Sequence, residues 1–172
     1  DLSNVDKTFD TKVLFWKSDQ IHMSTDALYV IERKRLPWEF RCPQGFPCIM
    51  PTFGRGNNLL IHKFDLIWSV PMDYVNSTMV PWELLTQYSM DQDNKWNFRI
   101  LTRNWWDEAY TDLYVFDKQL SLEWQLTEIE PWEEFKASRY MWDMLYLVTF
   151  PTPRPFPRDP LFAIDLSDPS DP

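Results

Sequence analysis

The chain has 172 residues, with 10 Trp, 14 Pro and only 3 Gly, and its formal net charge at pH 7 is −9. This length is enough for one domain with a proper core, and 44% hydrophobic with 25% charged residues indicates a globular rather than a disordered chain. The negative charge argues against nucleic acid as a partner, because binding to phosphates requires a basic surface, and no stretch is apolar for long enough to predict a transmembrane segment.

Alternation of apolar and polar residues predicts half-buried antiparallel strands along most of the chain. The first candidates span residues 11–17 and 27–35. On three later strands, the residues expected to face inward are Leu60, His62, Phe64, Leu66, Trp68 and Val70; then Trp96, Phe98, Ile100 and Thr102; then Leu120, Leu122, Trp124 and Leu126.

Three tryptophans of these inward faces are candidates to line a core or a ligand cavity. They are Trp68, Trp96 and Trp124, and their rings would offer a large apolar contact area. His62 lies on the same predicted face as Trp68, where it is either a hydrogen-bonded core residue or a ligand contact.

The spacing of apolar residues changes after Pro131. The residues that recur at helical spacing are Trp132, Phe135, Arg139, Trp142 and Leu145. With Pro at the first position and acidic residues in the first turn, this spacing predicts a helix from Pro131 to about Leu147. A final strand over 146–150 is the alternative. Residues 151–172, rich in Pro and then acidic, predict an extended C-terminal tail.

Together these elements predict a mainly β chain. We expect a single-domain antiparallel β-barrel or sandwich over residues 1–150, with one late helix, followed by the extended tail over 151–172. The layout is analogous to that of a lipocalin, but the Gly-x-Trp of a lipocalin's first strand is absent and no family is assigned.

The two cysteines lie close together in a segment that contains Pro and Gly. Cys42 and Cys48 are therefore expected to form a local disulfide, which favours a secreted or lumenal location. Zinc binding is the rival interpretation, but His22 and His62 are distant and too few to complete a site. Asn76 begins an Asn-Ser-Thr sequon for glycosylation, a signal that arises easily by chance.

The tripeptide Pro-Trp-Glu occurs three times, at 37–39, 81–83 and 131–133. A chain reversal explains it: Pro ends the preceding strand, Trp packs back against the edge of the core, and Glu caps a following helical turn. Alternatively, the three tryptophans form a shared aromatic surface.

A hairpin that turns at residues 117–118 would place Asp112 directly opposite Glu123, with Arg99 beside Asp112. Facing carboxylates are unfavourable unless a cation or a proton lies between them. The row is therefore either a structural salt-bridge network, a site for a cation such as Ca²⁺, or a carboxylate with a raised pKa that acts as an acid or base.

Adjacent tryptophans at 105 and 106 cannot both point inward from a strand. Trp105, Trp106 and Tyr110 are therefore candidates for a displayed aromatic surface that binds a ligand. The sequence favours a non-catalytic protein that binds an apolar or ring-shaped small ligand. One alternative is a subunit of a larger assembly that docks on neighbouring subunits through surface Trp and the tail. The other is a carboxylate-based enzyme.

Overall fold

A computed structural model of the protein describes residues 18, 20–35, 57–66, 72–104, 109–151 and 161–168. In these ranges the chain forms three antiparallel sheets, in each of which consecutive strands are hydrogen-bonded neighbours. Sheet 1 contains β1 (Gln20–Met23), β2 (Ala27–Arg35), β3 (Asn57–Asp65) and β4 (Asp73–Pro81). Sheet 2 contains β5 (Met90–Gln92), β6 (Phe98–Asn104), β7 (Tyr110–Phe116) and β8 (Leu122–Ile129). Sheet 3 contains β9 (Glu133–Met141), β10 (Met144–Pro151) and β11 (Leu161–Asp165).

The two inner strands of the middle sheet, β6 and β7, are covered on both faces, whereas β8 at its edge is mostly exposed. Phe98 and Ile100 of β6 belong to a core shared with sheet 1, whereas the next residue, Leu101, belongs to a second core shared with sheet 3. Because successive side chains of a strand point to opposite faces, β6 and β7 contribute to both cores. Sheet 2 is therefore the central layer of the described structure.

The mainly β, antiparallel character predicted from the sequence is confirmed, but the described strands do not close into a barrel. The prediction of one outward polar face per strand is also wrong for β6 and β7, because sheet 3 covers that face. Arg99, expected to be solvated, is only 2% exposed. In β3 the first core takes Leu59 and Ile61, which have the opposite parity to the residues expected to face inward.

The predicted helix at 131–147 is wrong. The segment is the hairpin of β9 and β10, in which Met141 pairs with Met144 and Leu145 pairs with Tyr140. The apparent helical spacing arose because Trp132 and Trp142 lie in the turns at the two ends of β9, while Phe135 and Leu145 reach the second core from neighbouring strands. The alternative strand over 146–150 lies within β10 and is confirmed.

The described part of the C-terminal segment runs from 161 to 168. Residues 161–165 of it form β11, which pairs with β10. Within the described ranges, the 3₁₀ helix Gln87–Ser89 is short, and no helix is long and apolar enough to span a membrane.

Four tryptophans occupy turn positions with positive φ. Trp82 and Trp132, in the second and third Pro-Trp-Glu tripeptides, have φ of 76° and 72°. At the third tripeptide the Glu133 amide donates to the carbonyl of Glu130 at 3.0 Å. Pro followed by a residue with φ near +80°, closed by this hydrogen bond, is a type II turn. The reversal predicted for this motif is confirmed at 131–133. The predicted packing of the Trp ring against the core is wrong there, because Trp132 is 55% exposed, and Glu133 begins a strand rather than capping a helical turn.

The β5–β6 and β7–β8 loops share one design. The Asp93 carboxylate accepts from the amides of Lys95 and Asn97, and the Asp117 carboxylate accepts from two amides at the matching positions. The fourth residue of each loop is left-handed: Trp96 has φ 67° and Leu120 has φ 60°. Trp142, the first residue of the two-residue β9–β10 loop, has φ 56°.

We predict that Trp132→Gly stabilises the full chain. A left-handed conformation costs a residue with a Cβ atom about 1–2 kcal/mol and costs glycine little, and the Trp132 side chain is 55% exposed. The free energy of unfolding, measured by denaturant titration, should rise by about 1 kcal/mol.

Trp124→Gly is the matched control, since Trp124 lies in β8 and packs against the second core. This variant should be less stable than the parent chain, because glycine weakens a strand and removes the packed ring. A loss of stability in Trp132→Gly would contradict the prediction.

Candidate functional site

A cleft of 570 Å³ lies where the ends of sheet 1 approach the loops of sheet 2. Its volume is in the range of small-molecule sites. The residues that line it come from β2 to β5, the loops beside them and the β7–β8 loop: Asp26, Ala27, Lys63, Asp65, Leu66, Val75, Gln92, Trp96, Lys118 and Gln119. Charged and amide side chains outnumber apolar ones, but apolar atoms contribute the larger part of the exposed lining, so the cleft is mixed in character.

Lys63 is a buried cation in the wall of this cleft. It lies on β3 and is 3% exposed. Its Nζ is 3.3 Å from Oδ1 of Asp65 and donates to the backbone carbonyl of Lys118 in the β7–β8 loop. Because an ammonium group is costly to bury without partners, these two contacts hold it in place. They also connect sheet 1 to a loop of sheet 2.

The opposite part of the lining is a network around Asp26 and Gln92. Trp96 Nε1 donates to Oδ2 of Asp26 at 3.2 Å, and Gln92 Oε1 accepts from Ser24 Oγ at 2.8 Å and from the Tyr29 hydroxyl at 3.0 Å. These bonds again connect sheet 1 with sheet 2. Two carboxylates and two ammonium groups line the cleft, so their formal charges balance.

Asp112 forms a second polar cluster. It is 2% exposed, its Oδ1 accepts from the Glu128 amide at 2.9 Å, and its Oδ2 accepts from the Tyr114 hydroxyl at 3.1 Å. The Trp82 side chain also bonds to Asp112. Burial raises the pKa of the Asp112 carboxyl, while these hydrogen bonds act to lower it. Burial likewise raises the pKa of the half-buried Tyr110, whose ring meets Trp82 edge-on.

The predicted pairing of Asp112 with Glu123 is wrong. The loop after β7 is longer than two residues, so Val115 pairs with Trp124 and Leu113 with Leu126. Glu123 is exposed, whereas Asp112 is buried, and the structure does not bring the two carboxylates together. In the described ranges no group of three or more His, Cys, Asp or Glu side chains is placed to hold a metal ion.

Arg99 also lies elsewhere than expected. It pairs with Val115 rather than lying beside Asp112. Its Nη2 is 3.1 Å from the Asp91 carboxylate and donates to the Trp142 carbonyl at 3.0 Å, and its guanidinium lies 5.7 Å from the Tyr140 ring centre. Arg99 therefore connects sheet 2 to sheet 3.

The remaining predicted contacts are scattered. His62 is buried, with Nδ1 3.4 Å from the Tyr74 hydroxyl, and burial lowers its pKa. Trp124 is partly buried against the second core, and Trp96 is in a loop and 51% exposed rather than inward-facing. Asn76 lies on β4, where its Nδ2 donates to the Gln119 carbonyl at 3.0 Å.

Five predicted residues, Trp68, Trp105, Trp106, Cys42 and Cys48, lie outside the described residues. The structure therefore does not bear on the disulfide or on the displayed tryptophan pair.

The sequence interpretation missed Asp26, Lys63 and Asp65. Lys63 and Asp65 were placed on the solvated face of their strand, and Asp26 precedes β2 in a short turn. The usable signal was a lysine in the middle of a strand whose neighbours on both sides are apolar or aromatic.

Successive antiparallel meanders that stack face to face are the arrangement of propeller blades. The comparison of sequences agrees with this class: the profile of the beta propeller domain family matches residues 1–172. The chain belongs to this family.

Relatives of the chain add no assigned activity. An uncharacterized protein of Archaeoglobus fulgidus is 32% identical over 105 residues, which cover 61% of this chain and 16% of that protein. An uncharacterized protein of Methanocaldococcus jannaschii is 33% identical over 108 residues, covering 57% of this chain and 15% of that protein. The chain thus spans about a sixth of the length of these relatives. No solved structure matches it.

We predict a pH signature for Asp112. Because its folded-state pKa is raised, its contribution to stability is complete below the ordinary Asp pKa and is lost as the pH rises through the folded value. Relative to the parent chain, the free energy of unfolding of Asp112→Asn should therefore be higher near pH 7 than at about pH 3. Denaturant titrations of the parent and the variant at both pH values measure this effect. Any cost of the altered hydrogen bonds that does not depend on pH cancels when the two pH values are compared.

Asp165→Asn is the control with the opposite sign. Hydrogen bonds from Ser167 lower the pKa of Asp165, so its contribution is present above the ordinary Asp pKa and is lost as the pH falls. Relative to the parent chain, the free energy of unfolding of Asp165→Asn should be lower near pH 7 than at about pH 3. If the relative stability of both variants changed in the same direction between pH 3 and pH 7, the opposite pKa shifts of Asp112 and Asp165 would be contradicted.

Proposed function

We propose that this chain is a non-catalytic binding segment of a larger propeller protein, and that the cleft between sheets 1 and 2 takes a neutral, ring-shaped ligand that carries hydroxyl groups. The observation that carries the proposal is the convergence of Asp26, Lys63 and Asp65 on one cleft of 570 Å³. A simple sugar has this chemistry.

Charge balance favours a neutral ligand. Asp26 and Asp65 are offset by Lys63 and Lys118 around the same cleft, so neither an anion nor a cation gains net attraction. Carboxylates accept hydrogen bonds, ammonium groups donate them and the Gln92 amide does both. Hydroxyl groups, which also donate and accept, can satisfy each of these partners.

The same lining changes the ligand expected from the sequence alone. An apolar ligand inside a barrel would need an apolar cavity, whereas the interior residues Phe98, Ile100 and Phe116 are packed with no exposure. An apolar guest in the cleft would leave the Lys63–Asp65 pair and the Gln92 amide desolvated without new partners, which is costly. A ring with polar substituents avoids this cost.

Isothermal titration of the full chain with methyl glucoside, maltose and cellobiose tests the proposal. Glucuronate and glucosamine serve as charged analogues of similar shape. We expect binding of at least one neutral sugar that is tighter than binding of its charged analogue. No binding of any sugar, or preference for a charged one, would overturn the proposal.

Asp65→Asn and Asp26→Asn test the site itself. Each removes a charge that a ligand hydroxyl would use and changes the side-chain shape little. We expect either change to weaken binding by about tenfold, since a hydrogen bond to a charged group contributes about 1.5–3 kcal/mol. Glu123→Gln is the matched control, because Glu123 is exposed on β8 and is absent from the cleft lining; it should bind like the parent chain.

A further inference from the structure

In the described ranges seven residues have positive φ, and four of them are tryptophan; the other three are Leu120, Glu128 and Glu130. Of the five tryptophans in the described ranges, Trp124 lies in a strand, and the others, Trp82, Trp96, Trp132 and Trp142, all have φ between 56° and 76°. Positive φ is uncommon outside glycine and is found mostly for Asn and Asp. A bulky aromatic residue is among the least suited to it, so four tryptophans at such positions require an explanation.

Three of these positions lie in turns whose geometry favours glycine; the fourth, Trp82, lies between the end of β4 and the bridge that Glu83 forms with Arg103. Trp132 follows Pro131 in a type II turn, where positive φ is required after the proline, and Trp82 follows Pro81 with nearly the same φ. Trp96 is the left-handed residue that closes an Asp-initiated hairpin loop. Trp142 has positive φ at the first position of a two-residue hairpin loop. Turns of different kinds thus have tryptophan at the position where glycine is favoured.

The composition shows the complementary deficit. The described ranges contain no glycine, since all three glycines of the chain, at 45, 54 and 56, lie outside them. Glycine is normally about 7% of residues and is concentrated in such turns. The missing glycines and the surplus tryptophans therefore occur at the same kind of position.

The indole rings contribute little packing at three of the four positions. Trp96, Trp132 and Trp142 are 51%, 55% and 87% exposed. A tryptophan retained for stability would be buried, and one retained for a shared binding surface would lie near the others. Instead these three lie in different loops, after β5, before β9 and after β9.

We infer that residues 82, 96, 132 and 142 are glycine in the protein as its source organism makes it, each encoded by a UGA codon. The codon UGA is read as stop, as tryptophan or as glycine in different genetic codes. A UGA that the organism reads as glycine appears as tryptophan when a tryptophan code is applied. One codon assignment accounts at once for the surplus of Trp, the lack of Gly and the positive φ at these four positions; it does not account for the positive φ of Leu120, Glu128 and Glu130.

The inference is independent of the proposed ligand but alters the site. With glycine at 96, Oδ2 of Asp26 loses the indole donor that now occupies it, and the cleft becomes wider on that side. Lys63, Asp65 and Gln92 remain as described. Glycine at 132 and 142 removes two exposed indoles from the turns at the two ends of β9.

The test is peptide mass spectrometry of the protein isolated from its source, with the gene sequenced in parallel. The peptides that span 82, 96, 132 and 142 should each be lighter by the difference between a tryptophan and a glycine residue, and the four codons should be UGA. Tryptophan in these peptides, or UGG codons at these positions, would overturn the inference. Failure of sugar binding would leave this result unaffected, so the two proposals are tested separately.

A second measurement does not depend on isolating the native protein. The full chain with glycine at all four positions should unfold at a higher denaturant concentration than the chain with tryptophan there, and the dependence of the unfolding free energy on denaturant should be unchanged. A chain with alanine at the same four positions is the matched control, because alanine removes the indole but keeps the Cβ atom that disfavours positive φ. Equal stability of the glycine and alanine chains would overturn the inference that these turns require glycine.

Discussion

The burial of β6 and β7 on both faces is the constraint from which the rest of the structure follows. Consecutive residues of β6 and β7 point into different cores, so neither strand can keep a solvated face. Polar groups on these strands must therefore find partners inside the protein. Arg99 does so with Asp91 and the Trp142 carbonyl, and Asp112 does so with the Tyr114 hydroxyl and the Glu128 amide. The bonds of Arg99 fix how sheets 2 and 3 meet.

This double burial explains what the sequence could and could not predict. Period-two alternation correctly located β2, from Ala27 to Arg35, and the antiparallel class. Alternation implies one buried face, however, and cannot reveal that a second sheet covers the other. The helix predicted over 131–147 failed because two turn tryptophans and two core residues happened to fall at helical spacing. The register of β7 with β8 failed because an Asp-initiated loop is longer than the two-residue turn assumed.

The candidate site illustrates the same limit. Its members come from a turn before β2, from the end of β3 and from loops of sheet 2, and they converge only when the two sheets stack. Lys63 looked like a solvent-facing residue on its own strand, and only the Lys118 carbonyl from the neighbouring sheet gives it a buried environment. Aromatic residues are numerous in the sequence and suggested a binding surface, yet the cleft brings together mainly polar residues.

The meander order of the three sheets has a consequence for how the chain acquires its structure. Every strand pairs with its sequence neighbour, so the loops that must close between described strands are mostly short and the entropy lost in closing them is small. Hairpins with such short loops, β7–β8 and β9–β10 among them, can form independently of one another, whereas β2 must pair with β3 across residues 36–56. The carboxylates of Asp93 and Asp117, each holding two amides of its own loop, would then act early by bringing strands together before the cores between sheets exist.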